Sequence, residues 1–279
     1  MIFAPLRGVT IRPFRRVFAP LIREAGFTEA ITPFIPAMKG VNPLKDREIG
    51  DEAIPQFIGK DPEALRNCLE GIKSAGYTQA DLNCGCPFPM VRNKGRGSGI
   101  LKSPDTLKRM LEVGCETLGA GNFSIKARLG VERKDELLEL MPIINQFPLK
   151  YLTVHGRVAK QMYEGEVDRA AMDEIVRTAK IPVVLNGDIP LHHSSSFILH
   201  SSSPLMIGRA FIRSLGERED IGEYLREYIA ISQEELYGER PVLGRIKELL
   251  AYWKDSPRWA RRWQIIKICR SVDEILTQI

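Results

Sequence analysis

Eight short apolar segments, at residues 2–4, 29–32, 55–58, 79–82, 124–128, 151–154, 183–185 and 205–207, recur along the first three-quarters of this 279-residue chain. Helical patterns lie between them. Leu65, Cys68, Leu69 and Ile72 repeat at helical spacing after Asp61-Pro62, and Leu107, Met110, Leu111 and Leu118 do so after Ser103-Pro104. Two more such patterns cover 135–144 and 170–179. Several of the apolar segments run without alternation, as strands covered on both faces do. Eight strands alternating with helices predict an α/β fold, a (β/α)8 TIM barrel rather than an open sheet. Ser103 before Pro104 predicts a helix start with a hydroxyl N-cap and Pro in the first turn. Beyond Arg209 the pattern becomes wholly helical, so the expected organisation is a barrel over 1–216 and a small helical domain over 217–279.

In a barrel of this kind the C-terminal ends of the strands form one mouth, and that mouth holds the active site. The chemically unusual residues of this chain gather there. Pro5-Leu6-Arg7-Gly8 follows the first strand, Gln56 lies in the third, and Asn83-Cys84-Gly85-Cys86-Pro87 ends the fourth. Lys126 and Arg128 lie in the fifth, His155-Gly156-Arg157 ends the sixth, Asn186-Gly187-Asp188 the seventh, and Gly208-Arg209 the eighth. The glycine turns after strands seven and eight suit a phosphorylated cofactor, because backbone N–H groups there commonly bind phosphate. Cys86, held between Gly and Pro at a strand tip, is poorly placed as core filling and well placed to meet a substrate. Asn83 can present an amide to a planar ring. The Gly-rich basic loop that follows, with Arg92, Lys94 and Arg96, suits a polyanion.

The remaining cysteines carry less. Five cysteines without framework spacing fit a reduced, cytoplasmic protein with free thiols. Cys68 and Cys115 fall on apolar helix faces and read as small core residues, Cys269 as packing, and Cys84 as structural. A Cys-x-Cys metal site needs further ligands that its surroundings do not supply, so no metal is expected. No apolar run approaches the ~18–20 residues that span a membrane, and the first residues read as a strand rather than a secretory leader. His192, His193 and His200, in a Ser-rich stretch, receive no role.

The net charge of +5 would not by itself establish nucleic-acid binding. Its distribution is more telling. Between Arg240 and Arg270 nine Lys or Arg stand against Glu248 and Asp255, and Trp253, Trp259 and Trp263 all fall in this span. A basic helical module beside a barrel mouth offers the phosphate-binding surface an RNA needs, with Arg258, Arg261 and Arg262 its densest cluster. The tryptophans admit two readings: packing between helices, or stacking on splayed bases.

Six segments in order resemble the dihydrouridine synthase family, FMN enzymes that reduce uridine in tRNA. Ala4-Pro5 resembles the family's opening strand. Asp81 to Pro87, followed by Val91, Lys94, Gly97 and Leu101, resembles its signature, and Lys126-Ala127-Arg128 its Lys-x-Arg strand. His155-Gly156-Arg157 with Gln161, Tyr163 and Gly165 resembles a third motif, and Asn186-Gly187-Asp188-Ile189 and Ile207-Gly208-Arg209-Ala210 its phosphate-binding turns. The resemblance implies FMN bound by Pro5, Gln56, Lys126, His155, Asn186, Gly187, Asp188, Gly208 and Arg209. It implies Cys86 as the acid that protonates C5 of uracil, and Asn83, Lys94, Arg128 and Arg157 as substrate contacts. It implies NADPH or NADH as reductant and tRNA as partner, gripped by the C-terminal helices. A monomer is expected. Cys84-Gly85-Cys86 resembles the bacterial branch that modifies position sixteen of the D-loop. Leu6-Arg7 and Thr32-Pro33-Phe34 depart from the family pattern near the flavin and substrate. Two other readings were open from the residues: an FMN barrel acting on a free pyrimidine, as dihydroorotate dehydrogenase does, and a non-catalytic RNA-binding paralogue.

Overall fold

The computed structural model describes residues 1–191 and 203–279, so His192, His193 and His200 lie outside the described residues. Nine parallel strands form one sheet among them: β1 (Ile2–Phe3), β2 (Glu29–Ala30), β3 (Ile35–Pro36), β4 (Gln56–Ile58), β5 (Ala80–Cys84), β6 (Phe123–Gly130), β7 (Leu152–Val158), β8 (Val183–Asn186) and β9 (Leu205–Ile207). Their spatial order is β2-β1-β9-β8-β7-β6-β5-β4-β3.

The two ends of that order meet, and the sheet closes into a barrel. Ile31 bridges Ile54 in parallel, the Ile54 N–H donates to Ala30 O (2.8 Å), and the Thr32 N–H donates to Ile54 O (3.0 Å). The second expected strand is therefore real but broken in two. Its first half pairs with β1 and its second half with β4. Pro33 sits at the break and lacks the N–H a ladder needs, which frees Phe34 from the sheet.

Burial resolves the barrel into layers. Ile2, Ala4, Ile31, Ile54, Tyr151, Val184 and Met206 form a compact apolar cluster of their own. Leu82, Cys84, Ile125, Ala127, Leu129, Leu152 and Val154 belong instead to the large core shared with the surrounding helices. The residues between them in sequence are polar and buried: Asp81, Ser124, Arg128, Thr153, His155 and Arg157. The strands that carry the site thus alternate with period two, apolar outward and polar inward. This corrects the expectation of continuous apolar strands. The alternation lies in Ser124-Ile125-Lys126-Ala127-Arg128 and Thr153-Val154-His155-Gly156-Arg157, and it reflects a barrel whose upper interior is a polar site.

Helix signals largely hold, with local corrections. Asp61 caps the helix Pro62–Ser74, accepting from the N–H groups of Glu63 (3.0 Å) and Ala64 (3.4 Å). Ser103 precedes the helix Pro104–Leu118 as expected, but its hydroxyl makes no cap bond, and Pro104 alone sets the first turn. The basic loop after Cys86 is ordered into a short helix, Pro89–Arg92, and a 3-10 turn, Gly97–Lys102.

The C-terminal helices Ile221–Glu235, Glu239–Leu250, Ala260–Ile266 and Val272–Leu276 pack against β1, β9 and the helix Arg209–Leu215. Phe3, Phe14, Phe211 and Ile212 share one core with Tyr228, Ile246, Trp253 and Ile275. Trp253 donates to Ile212 O (2.6 Å) and Trp259 to Gly216 O (2.8 Å), and both rings are fully buried. Bases cannot reach these two rings, so of the two readings of the tryptophans packing is the one realised for this pair. No helix among the described residues is long and apolar enough to cross a membrane.

Candidate active site

A cleft of about 470 Å³ opens at the C-terminal ends of the strands. Pro5, Gln56, Asn83, Cys86, Lys126, Arg128, His155, Asn186, Gly187, Asp188, Gly208 and Arg209 all line it, although they come from seven separate stretches of chain. Lys94, Arg157, Arg258, Arg261 and Arg262 do not. Leu6, Arg7 and Phe34, expected near the flavin and substrate but with no role given, line it too, as do Tyr163, Phe88 and Arg213.

A chain of directed hydrogen bonds builds the floor. Asp81 is fully buried and, when ionised, can only accept. It accepts from Ser124 Oγ (2.7 Å) and Gln56 Nε2 (2.7 Å). The Gln56 amide is thereby oriented with Oε1 toward Asn83 Nδ2 (2.8 Å). Asn83 Oδ1 is left to accept the N–H groups of Gly85 (3.1 Å) and Cys86 (2.8 Å). One carboxylate thus sets two amide orientations and fixes the turn that carries Cys86. Burial pushes the Asp81 carboxyl up to about 6, against Ser124, Gln56 and the charge of Lys126.

The Cys86 turn is clamped from the other side. Cys86 O accepts from Ser98 Oγ (2.9 Å) and the Ser98 N–H (3.1 Å). Gly97 has φ +56°, and a Cβ there would stand 2.7 Å from Cys86 Cβ, so a side chain is excluded at that position. Cys86 itself is 6% exposed. Burial raises its thiol above the ordinary value, opposed by the Phe88 N–H and by Arg7 and Arg128. The thiol form predominates at neutral pH, which suits an acid and not a nucleophile. Cys84, two residues earlier, points into the helix-side core, and burial raises its thiol far more.

Cations dominate the walls. Among the described residues, Arg7, Lys126, Arg128, Arg209 and Arg213 line the cleft against a single carboxylate, Asp188. Lys126 Nζ donates to Asn186 Oδ1 (2.9 Å), whose Nδ2 donates to Met206 O (2.8 Å). Burial, then the charge of Arg128, lowers Lys126 to about 8 despite Asp81. Arg128 holds Gly85 O (3.1 Å) and Val158 O (3.0 Å) and lies 5.2 Å from the Tyr163 ring, which Arg209 also faces at 5.2 Å. His155 is buried among Lys126, Arg128, Arg157 and Arg209; burial first and these charges next hold it well below its ordinary value, so it is neutral. Arg157 is 2% exposed and pairs with Asp188, with the carbonyls of Glu164 and Gly165, and with His155 Nε2 (3.3 Å). Arg209 also pairs with Asp188. The Asp188 side chain is therefore occupied, and what it can offer a phosphate is its backbone N–H.

The C-terminal arginines have varied settings. Arg258 reaches back to the carbonyls of Arg218 and Glu219. Arg262 lies 5.3 Å from the Trp259 ring. Arg261 and Lys94 are exposed.

With this geometry in place, comparison with known proteins is decisive. Residues 2–214 match the family model described as dihydrouridine synthase (Dus). The chain belongs to the dihydrouridine synthase family. It is 29% identical over 272 residues to a probable tRNA-dihydrouridine synthase of Helicobacter pylori (strain J99), covering 91% of this chain and 83% of that one. It is 26% identical over 275 residues to tRNA-dihydrouridine synthase B of Vibrio vulnificus, covering 94% and 84%. Among solved structures it is similar to the old yellow enzyme homologue of Zymomonas mobilis, with a TM-score of 0.56 at 13% identity over 76% of this chain and 85% of that one. That likeness supports the TIM-barrel fold.

Proposed function

We propose that this synthase reduces uridine to 5,6-dihydrouridine in tRNA, in the D-loop, and that FMN reduced by NADPH or NADH works in the cleft at the barrel mouth. The residues fit such a cofactor. A planar ring finds an apolar wall at Ala4, Pro5, Leu6 and Met206, and a polyanion finds five cations against one carboxylate. Pro5, Gln56, Lys126, His155 and Asn186 would hold the ring. Gly187, Gly208, Arg209 and the Asp188 N–H would hold the phosphate. Bound there, the flavin supplies hydride to C6 of uracil.

The protein's own work is to orient the base and to deliver a proton. Asn83, fixed by Gln56 and Asp81, presents its remaining amide hydrogen to a carbonyl of the base. Cys86 Sγ transfers its proton to C5, and the thiolate left behind is reprotonated from solvent before the next turnover. Lys126, charged below about pH 8, stabilises negative charge on the ring system. Arg128 buttresses the Cys86 turn through Gly85 O and faces the substrate side. The helical segment 217–279 is read as the module that grips tRNA, beside a catalytic barrel over 1–216.

The observation that carries this reading is a buried thiol, Cys86, in the wall of a cation-rich cleft in a chain of this family. Mass-spectrometric mapping of tRNA incubated with the protein, FMN and NADPH should show uridines gaining two mass units. Unmodified tRNA with fully flavin-loaded protein would refute it.

A further inference from the structure

The cations of the cleft differ in what holds them. Lys126 is held by Asn186, Arg128 by two carbonyls, and Arg209 by Asp188. Arg7 and Arg213 remain: among the described residues neither donates to a carboxylate or a carbonyl. Arg213 sits on the helix that follows the phosphate-binding turn, where its charge is felt by Asp188. Arg7 follows β1, the strand beside β9, and its charge is felt by the Cys86 thiol.

The backbone around Arg7 is built to present it. Leu6 O accepts from the N–H groups of Val9 and Thr10 (both 3.0 Å), and the Leu6 N–H donates to Thr10 Oγ1 (2.8 Å), closing a tight turn with Arg7 at its exposed apex. Gly8 follows at φ +84°, and a Cβ there would lie 2.0 Å from Glu248 Oε2 and 2.5 Å from Arg245 Nη1. The C-terminal helix Glu239–Leu250 therefore braces the turn from behind. In front, the guanidinium rests 5.2 Å from the Phe34 ring, and Phe34 is turned into the mouth by the strand break at Pro33. A planar cation seated on an aromatic ring keeps its N–H edge free and oriented.

From this geometry we propose that Arg7, seated on Phe34, is a substrate-positioning residue that binds a backbone phosphate of the RNA strand presenting the target base to Cys86. This rests on the uridine-reductase reading of the cleft. The neighbouring turn at Gly208 faces Leu6 rather than Arg7, and the charge of Arg7 acts on Cys86 and not on Asp188, so an anion at Arg7 is assigned to the substrate. Two elements distant in sequence cooperate here: the broken second strand supplies the platform and the C-terminal helix supplies the brace.

Steady-state kinetics of the FMN-loaded protein on a tRNA transcript, at several salt concentrations, tests the proposal. Arg7→Ala should raise KM for tRNA about tenfold, with the loss carried by KM rather than kcat, and should lower the salt slope by about 0.7. Arg7→Lys should keep the slope and recover part of KM, since a lysine retains the charge without the planar fork. Phe34→Leu should raise KM about threefold with the slope intact, because only the orientation of the cation is lost. Thermal melts confirm that the variants fold. Arg7→Ala with the wild-type KM and slope would overturn the proposal, and so would a fall in kcat at unchanged KM, which would tie Arg7 to the proton step. Wild-type protein that forms no dihydrouridine would instead overturn the reading of the cleft itself.

Discussion

The barrel mouth and the C-terminal segment are both rich in cations, but the two regions hold them differently. In the barrel, Lys126, Arg128 and Arg157 are drawn into the interior, stripped of much of their water, and each is held by named acceptors. In the C-terminal segment Arg258, Arg261 and Arg262 are exposed, while Trp253 and Trp259 beside them are buried in the core. The same residue types therefore do opposite work. Buried charge is preorganised and creates a field in a small volume. Exposed charge is screened by salt and acts over a broad surface. A count of lysines and arginines along the chain cannot distinguish the two.

The largest effect that would sharpen this comparison lies in the mouth. Cys86→Ala should lower the rate of dihydrouridine formation by about 10²–10⁴-fold, the range for a positioned general acid, while flavin content and tRNA binding hold. Unchanged turnover in single-turnover assays would remove Cys86 from the proton step. Next come the arginines taken as a pair. Arg157→Ala leaves the carbonyls of Glu164 and Gly165 without their partner and Asp188 with Arg209 alone, and should cost about 2–3 kcal/mol in denaturant unfolding. Arg258→Ala, at the surface, should cost about 1 kcal/mol or less. Equal losses would break the contrast between the two regions.

A smaller, pH-dependent effect concerns Asp81. Its carboxyl is raised by burial, from 3.8 to about 6. A raised acid contributes stability that is fully present below the unfolded value and is lost as pH rises through the folded value. Asp81→Asn does not titrate. Its stability relative to the wild type should therefore improve between pH 4 and about 6.5, by up to about 3 kcal/mol. Thermal melts across that window test the sign, and a difference independent of pH would mean that the carboxyl is not raised. The wild type retains this costly carboxylate where it orients Gln56 and Asn83, and through them Cys86.

Much of this molecule was legible in the chain itself. Eight apolar segments separated by helical patterns specify a parallel barrel, because each strand must be covered and each helix must bury one face. Cys86, Lys126, His155 and the two glycine turns stood out because unusual residues at strand ends have few structural reasons to be there. Asp81, named only as part of the signature, and Ser124 receive no role from the sequence, although the period-two alternation that marks them is there. Alternation reads as a solvent-facing strand until a closed barrel turns its polar face inward. Arg157, Arg258 and Lys94 show the reverse limit, since a positive side chain looks alike in sequence whether it meets a substrate, a carbonyl or water. Sequence by itself determined the barrel and the chemical identity of its mouth, because local patterns of burial and backbone geometry are written residue by residue. Only the tertiary structure decided which cations are free, which way Gln56 and Asn83 face, and that Arg7 rests on Phe34 with a C-terminal helix behind it. Those facts depend on contacts between segments from 27 to more than 200 residues apart, and no local pattern encodes them.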